Sequence, residues 1–255
     1  MGELRVENLS KSYQRKDGWN TIRTLRVFDN VSFAVREGEF VSIIGPSGCG
    51  KSTLLNLSAG LDPVTGGFVY VDGEQISGPG LDRGVVFQEF ALFPWLTVIG
   101  NIEFGLKSKG IPAAERRKIA QRYTNLVGLS GFEKYHAYRL SGGMRQRVGI
   151  ARALAIDPSV LLMDEPFGAL DAQTRESMQK ALADIWQTTK KTVLFITHDI
   201  REAVYLSDRV LVMNGRPANI ALEIAINLAR PRNRHDVEFQ EYEQQLERAI
   251  AAPAS

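Results

Sequence analysis

Gly45-Pro46-Ser47-Gly48-Cys49-Gly50-Lys51-Ser52-Thr53 stands between two stretches of different character. Before it, Phe40-Val41-Ser42-Ile43-Ile44 is a short apolar run that predicts a buried strand. After it, Thr53-Leu54-Leu55-Asn56-Leu57-Ser58-Ala59 predicts a helix stopped by Gly60. Strand, glycine loop and helix form the setting that a phosphate-binding loop requires. Gly45, Gly48 and Gly50 have no Cβ, so the backbone can bend and bring its N–H groups onto phosphate oxygens. The helix start adds unpaired donors and the positive end of its dipole. Lys51 is a mobile point charge able to reach the β- and γ-phosphates, and Ser52 offers a hydroxyl to Mg2+. The loop predicts that a nucleoside triphosphate binds, a property shared by many activities.

The chain has 255 residues, 44% of them apolar and 24% charged, with a formal net charge of +2. This composition suits a globular protein with a sizeable core, and the near balance of charge argues against a dedicated nucleic-acid surface. No apolar run approaches the roughly 20 residues needed to span a bilayer, and the start carries no signal-peptide pattern, so a cytosolic protein is expected. Cys49 is the single cysteine, which excludes an intrachain disulfide.

Along the chain, Leu4-Arg5-Val6-Glu7-Asn8-Leu9 and Asn30-Val31-Ser32-Phe33-Ala34-Val35 alternate as strands do, with a hairpin signal at Lys16-Asp17-Gly18 between them. Arg15, Lys16, Arg23 and Arg26 read as a solvated hairpin, and Tyr13, taken alone, as a packing residue. Phe68-Val69-Tyr70-Val71 and the Asp72-Gly73 turn suggest a second hairpin. Arg83-Gly84-Val85-Val86-Phe87 is a short strand ending at Gln88. Ala113 to Val127 reads as a helix with Ile119, Tyr123, Leu126 and Val127 as its apolar stripe. A helical run from Arg145 to Ile156 follows Leu140-Ser141-Gly142-Gly143-Met144. Val160 to Glu165 and Thr192 to Thr197 read as buried strands ending in polar residues, with a helix around Ala172 to Thr188 between them. Ile200 to Leu206 reads as a short helix, and Arg209 to Met213 as a strand followed by an Asn214-Gly215 turn. Val237 to Ile250 predicts a helix with Phe239, Tyr242, Leu246 and Ile250 on one docking face. The expectation is an α/β protein: a phosphate-loop core sheet, an antiparallel β side sheet and a helical insertion subdomain over about 91–156, within a nucleotide-binding domain of 1–235, then a C-terminal helix and frayed tail over 236–255.

Phosphoryl transfer to water needs a cradle, a metal, a positioned water and positive potential at the γ-phosphate. The cradle is Gly45, Pro46, Ser47, Gly48, Cys49, Gly50, Lys51, Ser52 and Thr53. Ser52 and Asp164 supply hard oxygens for Mg2+. Strand alternation points Asp164 and Glu165 different ways, so Glu165 is free to serve as base or water-orienting group. Gln88 can sense the metal and the water, and His198 can hydrogen-bond the γ-phosphate. Ser141, Gly142 and Gly143 combine an N-cap, bare backbone and a helix start, a second anion site. One nucleotide already has its loop, so this second site makes most sense against a nucleotide held by another copy.

The set resembles the nucleotide-binding subunit of an ABC transporter. Leu140-Ser141-Gly142-Gly143-Met144-Arg145-Gln146 resembles that family's signature, which is far more specific than a phosphate loop. Gln88 is similar to its Q-loop, Asp164 and Glu165 to the end of its Walker B strand, Ala169-Leu170-Asp171 to its D-loop, and His198 to its switch histidine. Tyr13 is similar to the aromatic that stacks on adenine. Leu92-Phe93-Pro94-Trp95-Leu96-Thr97-Val98 and Ala229-Arg230-Pro231-Arg232 look like the importer group for nitrate, sulfonates and taurine. The resemblance implies an Mg2+-dependent ATPase that drives an importer by closing a head-to-tail dimer over two ATP molecules. It places Asp171 beside the ATP and adds Gln88 to the metal set with Ser52 and Asp164. It implies permease subunits contacted near Phe93, Trp95 and Leu96, an indirectly coupled substrate-binding protein, no nucleic acid, and a peripheral place on the cytoplasmic face of the cell membrane. Two other classes are open: a soluble ABC ATPase acting on DNA or ribosomes, and a GTPase or small-molecule kinase. The first lacks its coiled coils or basic stretches here, and the second leaves Ser141 to Gly143 unexplained.

Overall fold

The computed structural model describes residues 2–17 and 21–251. The chain divides into one unit of residues 1–80 and 192–255 and another of residues 81–191. The tip of the hairpin predicted at Lys16-Asp17-Gly18 and the tail beyond residue 251 lie partly outside the described residues.

The first unit contains β1 (Leu4–Asp17), β2 (Thr21–Val35), β3 (Phe40–Ile44), α1 (Lys51–Ala59), β4 (Gly66–Val71) and β5 (Glu74–Gln75). After the second unit's elements, β6 (Arg83–Val86), α2 (Val98–Ser108), α3 (Ala113–Leu126), α4 (Gly142–Ala155), β7 (Val160–Asp164) and α5 (Ala172–Thr189), the first unit resumes. It resumes with β8 (Thr192–Ile196), α6 (Ile200–Leu206), β9 (Arg209–Gly215), β10 (Ala218–Ala225) and α7 (Val237–Ala251).

In the first unit the strands follow the order β5-β4-β1-β2-β10-β9-β3-β8. β3 pairs in parallel with β8 on one side and β9 on the other. All of its residues are buried, which is why it reads as a continuous apolar run rather than an alternating one. Its one polar residue, Ser42, exchanges a hydroxyl hydrogen bond with buried Ser207. The early strands form the antiparallel part, as expected: β1 pairs with both β2 and β4. The polar stretch after Leu9 stays in strand although its register shifts between Leu9 and Ser12, since β1 and β2 remain paired to Asp17 and Thr21. Asp72 (φ 53°) and Gly73 (φ 81°) both take left-handed backbone between β4 and β5, the geometry of a type I′ turn. The turn expected at Asn214-Gly215 is displaced: β9 runs through Gly215, which pairs with Ala218 of β10.

The expected docking of the last helix is observed. Phe239 and Leu246 are buried with Val204, Val210, Val212 and Ile224, and Tyr242 and Ile250 pack against them. Arg201 of α6 pairs with Glu243 at 2.8 Å. The Ala229–Arg232 stretch clips the end of α6 and the segment leading into β9. Arg230 binds Asp208 and the Leu206 carbonyl. Arg232 donates to the carbonyls of Val204, Ser207 and Ile226. Burial first, then the neighbouring Arg230, lowers the Arg232 guanidinium to about 10. Phe239→Ala is expected to destabilise this unit by about 3–5 kcal/mol, the usual range for a buried Phe. Urea denaturation followed by fluorescence checks it; a loss under 1 kcal/mol would mean that α7 docks only loosely.

In the second unit, β6 and β7 run parallel, and α2, α3 and α4 pack on one another. The predicted stripe on α3 is shifted. Ala120, Tyr123 and Thr124 are buried with Val127, whereas Ile119 and Leu126 are only partly covered. Thr124 can face inward because its hydroxyl donates to the Ala120 carbonyl at 2.8 Å, satisfying the polar group within the helix. α2 was not read from the sequence; its glycines at 100 and 105 hide it. A Cβ at Gly105 would lie 2.4 Å from Ile156 Cγ2, so that glycine serves close packing rather than a turn.

Candidate functional site

The phosphate-loop residues follow β3 directly. Gly45 admits no side chain: a Cβ there would lie 2.1 Å from the Met213 carbonyl oxygen. Gly50 (φ 104°) is the N-cap of α1 and supplies no side-chain cap, leaving the first-turn N–H groups aimed at the loop. Lys51 is 6% exposed. Its ammonium donates to the carbonyls of Gly45 at 2.9 Å and Pro46 at 3.1 Å, so it braces the loop it is expected to serve. Cys49 is buried within the same loop.

His198 lies at the same sheet edge. Ile43 of β3 pairs with Ile196 of β8, so Gly45 and His198 each follow a matched pair by two positions. A hydrogen-bonded turn holds the histidine. Thr197 Oγ1 accepts from the Asp199 N–H at 3.0 Å and donates to Glu202 Oε2 at 2.6 Å. Glu202 is 4% exposed. Asp199 in turn caps α6 by accepting from the N–H groups of Arg201 and Glu202. Thr197 and Glu202 were missed by the sequence reading, although the Thr-His-Asp-x-x-Glu spacing around a strand end and helix start is visible in it.

Tyr13 leaves β1 with its ring 39% exposed. Its hydroxyl donates to Asp62 Oδ2 at 2.6 Å. The expectation of a simple packing residue is therefore corrected: hydrogen bonding keeps much of the ring at the surface.

The second unit holds the remaining predicted residues. β7 ends at Asp164, and Glu165 turns the chain with φ 41°. The extended-strand argument for pointing the two acids apart therefore does not hold. A left-handed non-glycine residue costs about 1–3 kcal/mol, and Glu165 is one of seven such residues among those described. The turn closes with the Gly168 N–H on the Glu165 carbonyl at 3.0 Å. It brings Glu165 close to Gln88: a Cβ at Gly168 would lie 3.4 Å from Gln88 Nε2 and 3.8 Å from Glu165 Oε2.

Ser141 caps α4, its hydroxyl accepting from the Met144 N–H at 3.3 Å. Asp171 caps α5, accepting from the Thr174 N–H at 3.0 Å, and this backbone bond holds its carboxyl below the usual range. The two helix starts adjoin. A Cβ on Gly143 would lie 2.6 Å from Thr174 Cγ2, and one on Gly142 would lie 3.4 Å from Leu170 Cδ2.

The loop after Gln88 is clamped to α4. Arg145 lies over the Phe90 ring at 4.9 Å, and Arg152 donates to the Ala91 carbonyl at 2.6 Å. Buried Asn101 accepts from the Phe93 N–H and donates to the carbonyls of Phe93, Leu96 and Thr97. This frame leaves Trp95 69% exposed, while Phe93 packs on Phe104 with ring centroids 4.3 Å apart. Among the described residues, no cluster of three or more His, Cys, Asp or Glu gathers for a metal, and no helix is long and apolar enough to cross a membrane.

Comparison with known proteins gives one answer. Residues 28–168 match the ABC transporter domain family. The chain is 53% identical to an uncharacterized ABC transporter ATP-binding protein of Methanocaldococcus jannaschii, over 96% of this chain and 90% of that one. It is 47% identical to a nitrate import ATP-binding protein of Synechocystis, over 95% and 93%. It is 50% identical to a taurine import ATP-binding protein of Burkholderia pseudomallei, over 90% and 86%. Among solved structures, it is similar to a dimeric ATP-binding cassette in a post-hydrolysis state bound to ADP and Pi, with TM-score 0.75 and 35% identity, covering 89% of this chain and all of the other.

Proposed function

This chain belongs to the ABC transporter family as an ATP-binding, ATP-hydrolysing subunit, and on that premise we propose that it drives import of a small anion of the nitrate, sulfonate or taurine kind. The cargo class rests on relatives named for nitrate and taurine import. The reading assigns the triphosphate to Gly45–Thr53 and the adenine to Tyr13. Ser141, Gly142, Gly143 and Asp171 complete the site of a second copy. Ser52, Gln88 and Asp164 would hold Mg2+, which favours hard oxygens and few carboxylates; bound there, the ion would neutralise charge on the phosphates. Glu165 orients the attacking water, with Gln88 beside it, and His198 donates to the γ-phosphate. Trp95, with Phe93 and Leu96, meets the permease: an exposed aromatic on a rigid frame suits a partner surface. The working place is then the cytoplasmic face of the membrane, with a substrate-binding protein coupled through the permease.

The observation that carries the reading is the capped glycine helix start at Ser141–Gly143 on a chain that already holds a complete phosphate loop. Its test is oligomeric state. With Glu165→Gln to slow turnover, light scattering should report a dimer only with ATP. Adding Ser141→Arg, which buries a long cation in the second site, should lower the dimer population at least tenfold while ATP still binds. Normal dimerisation of that double variant would sink the two-copy site. For the cargo, vesicles with the permease and binding protein should take up nitrate, taurine or an alkanesulfonate when loaded with ATP; transport of none of them would overturn the cargo class.

A further inference from the structure

Lys11 is 4% exposed, an unusual state for a lysine. Its ammonium donates to Asp62 Oδ1 at 2.9 Å and to the Pro63 carbonyl at 2.7 Å. It also lies 4.6 Å from the centroid of the Tyr13 ring. Asp62 therefore uses one carboxylate oxygen for Lys11 and the other for the Tyr13 hydroxyl. Burial and the Asp62 bond raise the Tyr13 hydroxyl above its ordinary range, and the Tyr13 and Lys11 bonds lower the Asp62 carboxyl below its own. The proton stays on Tyr13 and the charge on Asp62.

These contacts restrain a side chain that is otherwise at the surface. The ammonium covers one face of the ring. The hydroxyl bond to Asp62 fixes where the ring's far end lies. A flat group can then stack only on the face away from Lys11, and the ring has little freedom left to lose when it does. Removing that freedom in advance is a recognised source of affinity.

We propose that Lys11 and Asp62 are positioning residues that hold Tyr13 as a preset platform for the adenine base, with the base on the ring face opposite the Lys11 ammonium. The proposal rests on the reading of Tyr13 as the base contact of this ATP-binding subunit. Lys11 and Asp62 are assigned no contact with the nucleotide. They act through the ring, so their effect depends on the ligand having a base.

The test compares MgATP with inorganic tripolyphosphate, which carries the phosphates and no base, on the full chain by calorimetric titration. Lys11→Met keeps the apolar stem and removes the charge. It should weaken MgATP about five- to tenfold, the scale of one cation–π contact and one frozen side chain. Tripolyphosphate binding should change less than twofold, and kcat at saturating ATP should be kept while KM rises. Asp62→Ala should do the same, with Asp62→Glu restoring most of the loss. If Asp62→Ala does not fold, Lys11→Met decides alone. On a Tyr13→Ala background, Lys11→Met should have no further effect on MgATP. Equal loss of both ligands would show general loosening of the unit and overturn the proposal. Unchanged MgATP affinity in Lys11→Met, or an undiminished effect on the Tyr13→Ala background, would overturn it too. If Tyr13→Ala itself binds MgATP normally, the base assignment fails and this inference with it, while the ATPase assignment stands.

Discussion

Lys51→Ala is expected to lose steady-state ATP hydrolysis, by about 100- to 1,000-fold or more, the range for removing one charge-stabilising group from a transition state. The structure adds a reason beyond the missing charge. Lys51 is buried and donates to the Gly45 and Pro46 carbonyls, so truncation also leaves those two acceptors without their donor and loosens the loop. ATP affinity should therefore fall together with turnover. Lys51→Arg separates the two effects: it keeps the charge, but its wider planar head does not fit a site shaped for an ammonium. Phosphate release and nucleotide titration on the three proteins check this. Turnover within a few-fold of the wild type in Lys51→Ala would remove Gly45–Thr53 from the phosphate role.

Glu165→Gln is the second large effect, with the opposite signature. ATP should bind with nearly unchanged affinity, while single-turnover hydrolysis falls by about 100- to 10,000-fold, the range attributed to a positioned general base. The amide preserves the side chain's size, and the left-handed backbone at Glu165 (φ 41°) remains as accessible to Gln as to Glu. The change thus acts on proton transfer and water orientation rather than on the turn. Gln88→Ala should show a milder form of this defect, since its amide lies at the same spot beside Gly168. Rapid-quench measurement of one turnover separates the chemical step from product release. Hydrolysis at the wild-type rate in Glu165→Gln would hand the role to another group.

The two predictions differ in how far they were legible without a fold. The phosphate loop is visible because its constraints are local: consecutive positions need bare backbone, a charge and a hydroxyl, between a buried strand and a helix start. Ser141 is legible for the same reason, because an N-cap acts on donors two or three residues away, whereas Asp171 was identified only through the family resemblance and its capping of α5 came from the structure. Glu165 was identified from its neighbour and its place at a strand end. Its direction was not legible, because β7 ends at Asp164 and Glu165 leaves the extended backbone.

The misread elements share one cause. The α3 stripe fell out of phase because Thr124 hides its hydroxyl on its own helix, which a hydrophobic pattern counts as polar surface. β10 and the full length of β1 and β2 were not read because their residues are mixed or polar. They are held as strands by partners elsewhere in the chain rather than by their own period.

By itself, then, the sequence determined the α/β class, the phosphate loop, the second glycine helix start, the strand-end acids and histidine, and the docking face of α7. Each is written in spacing over a few residues, where backbone geometry and side-chain period act directly. Only the tertiary structure decided which distant groups meet. Lys11 and Asp62 are 51 positions apart, and Arg232 and Val204 are 28 apart. Such pairs form because burial makes an unpaired charge or carbonyl costly. Which partner relieves that cost depends on how separate segments pack, and no local pattern carries that information.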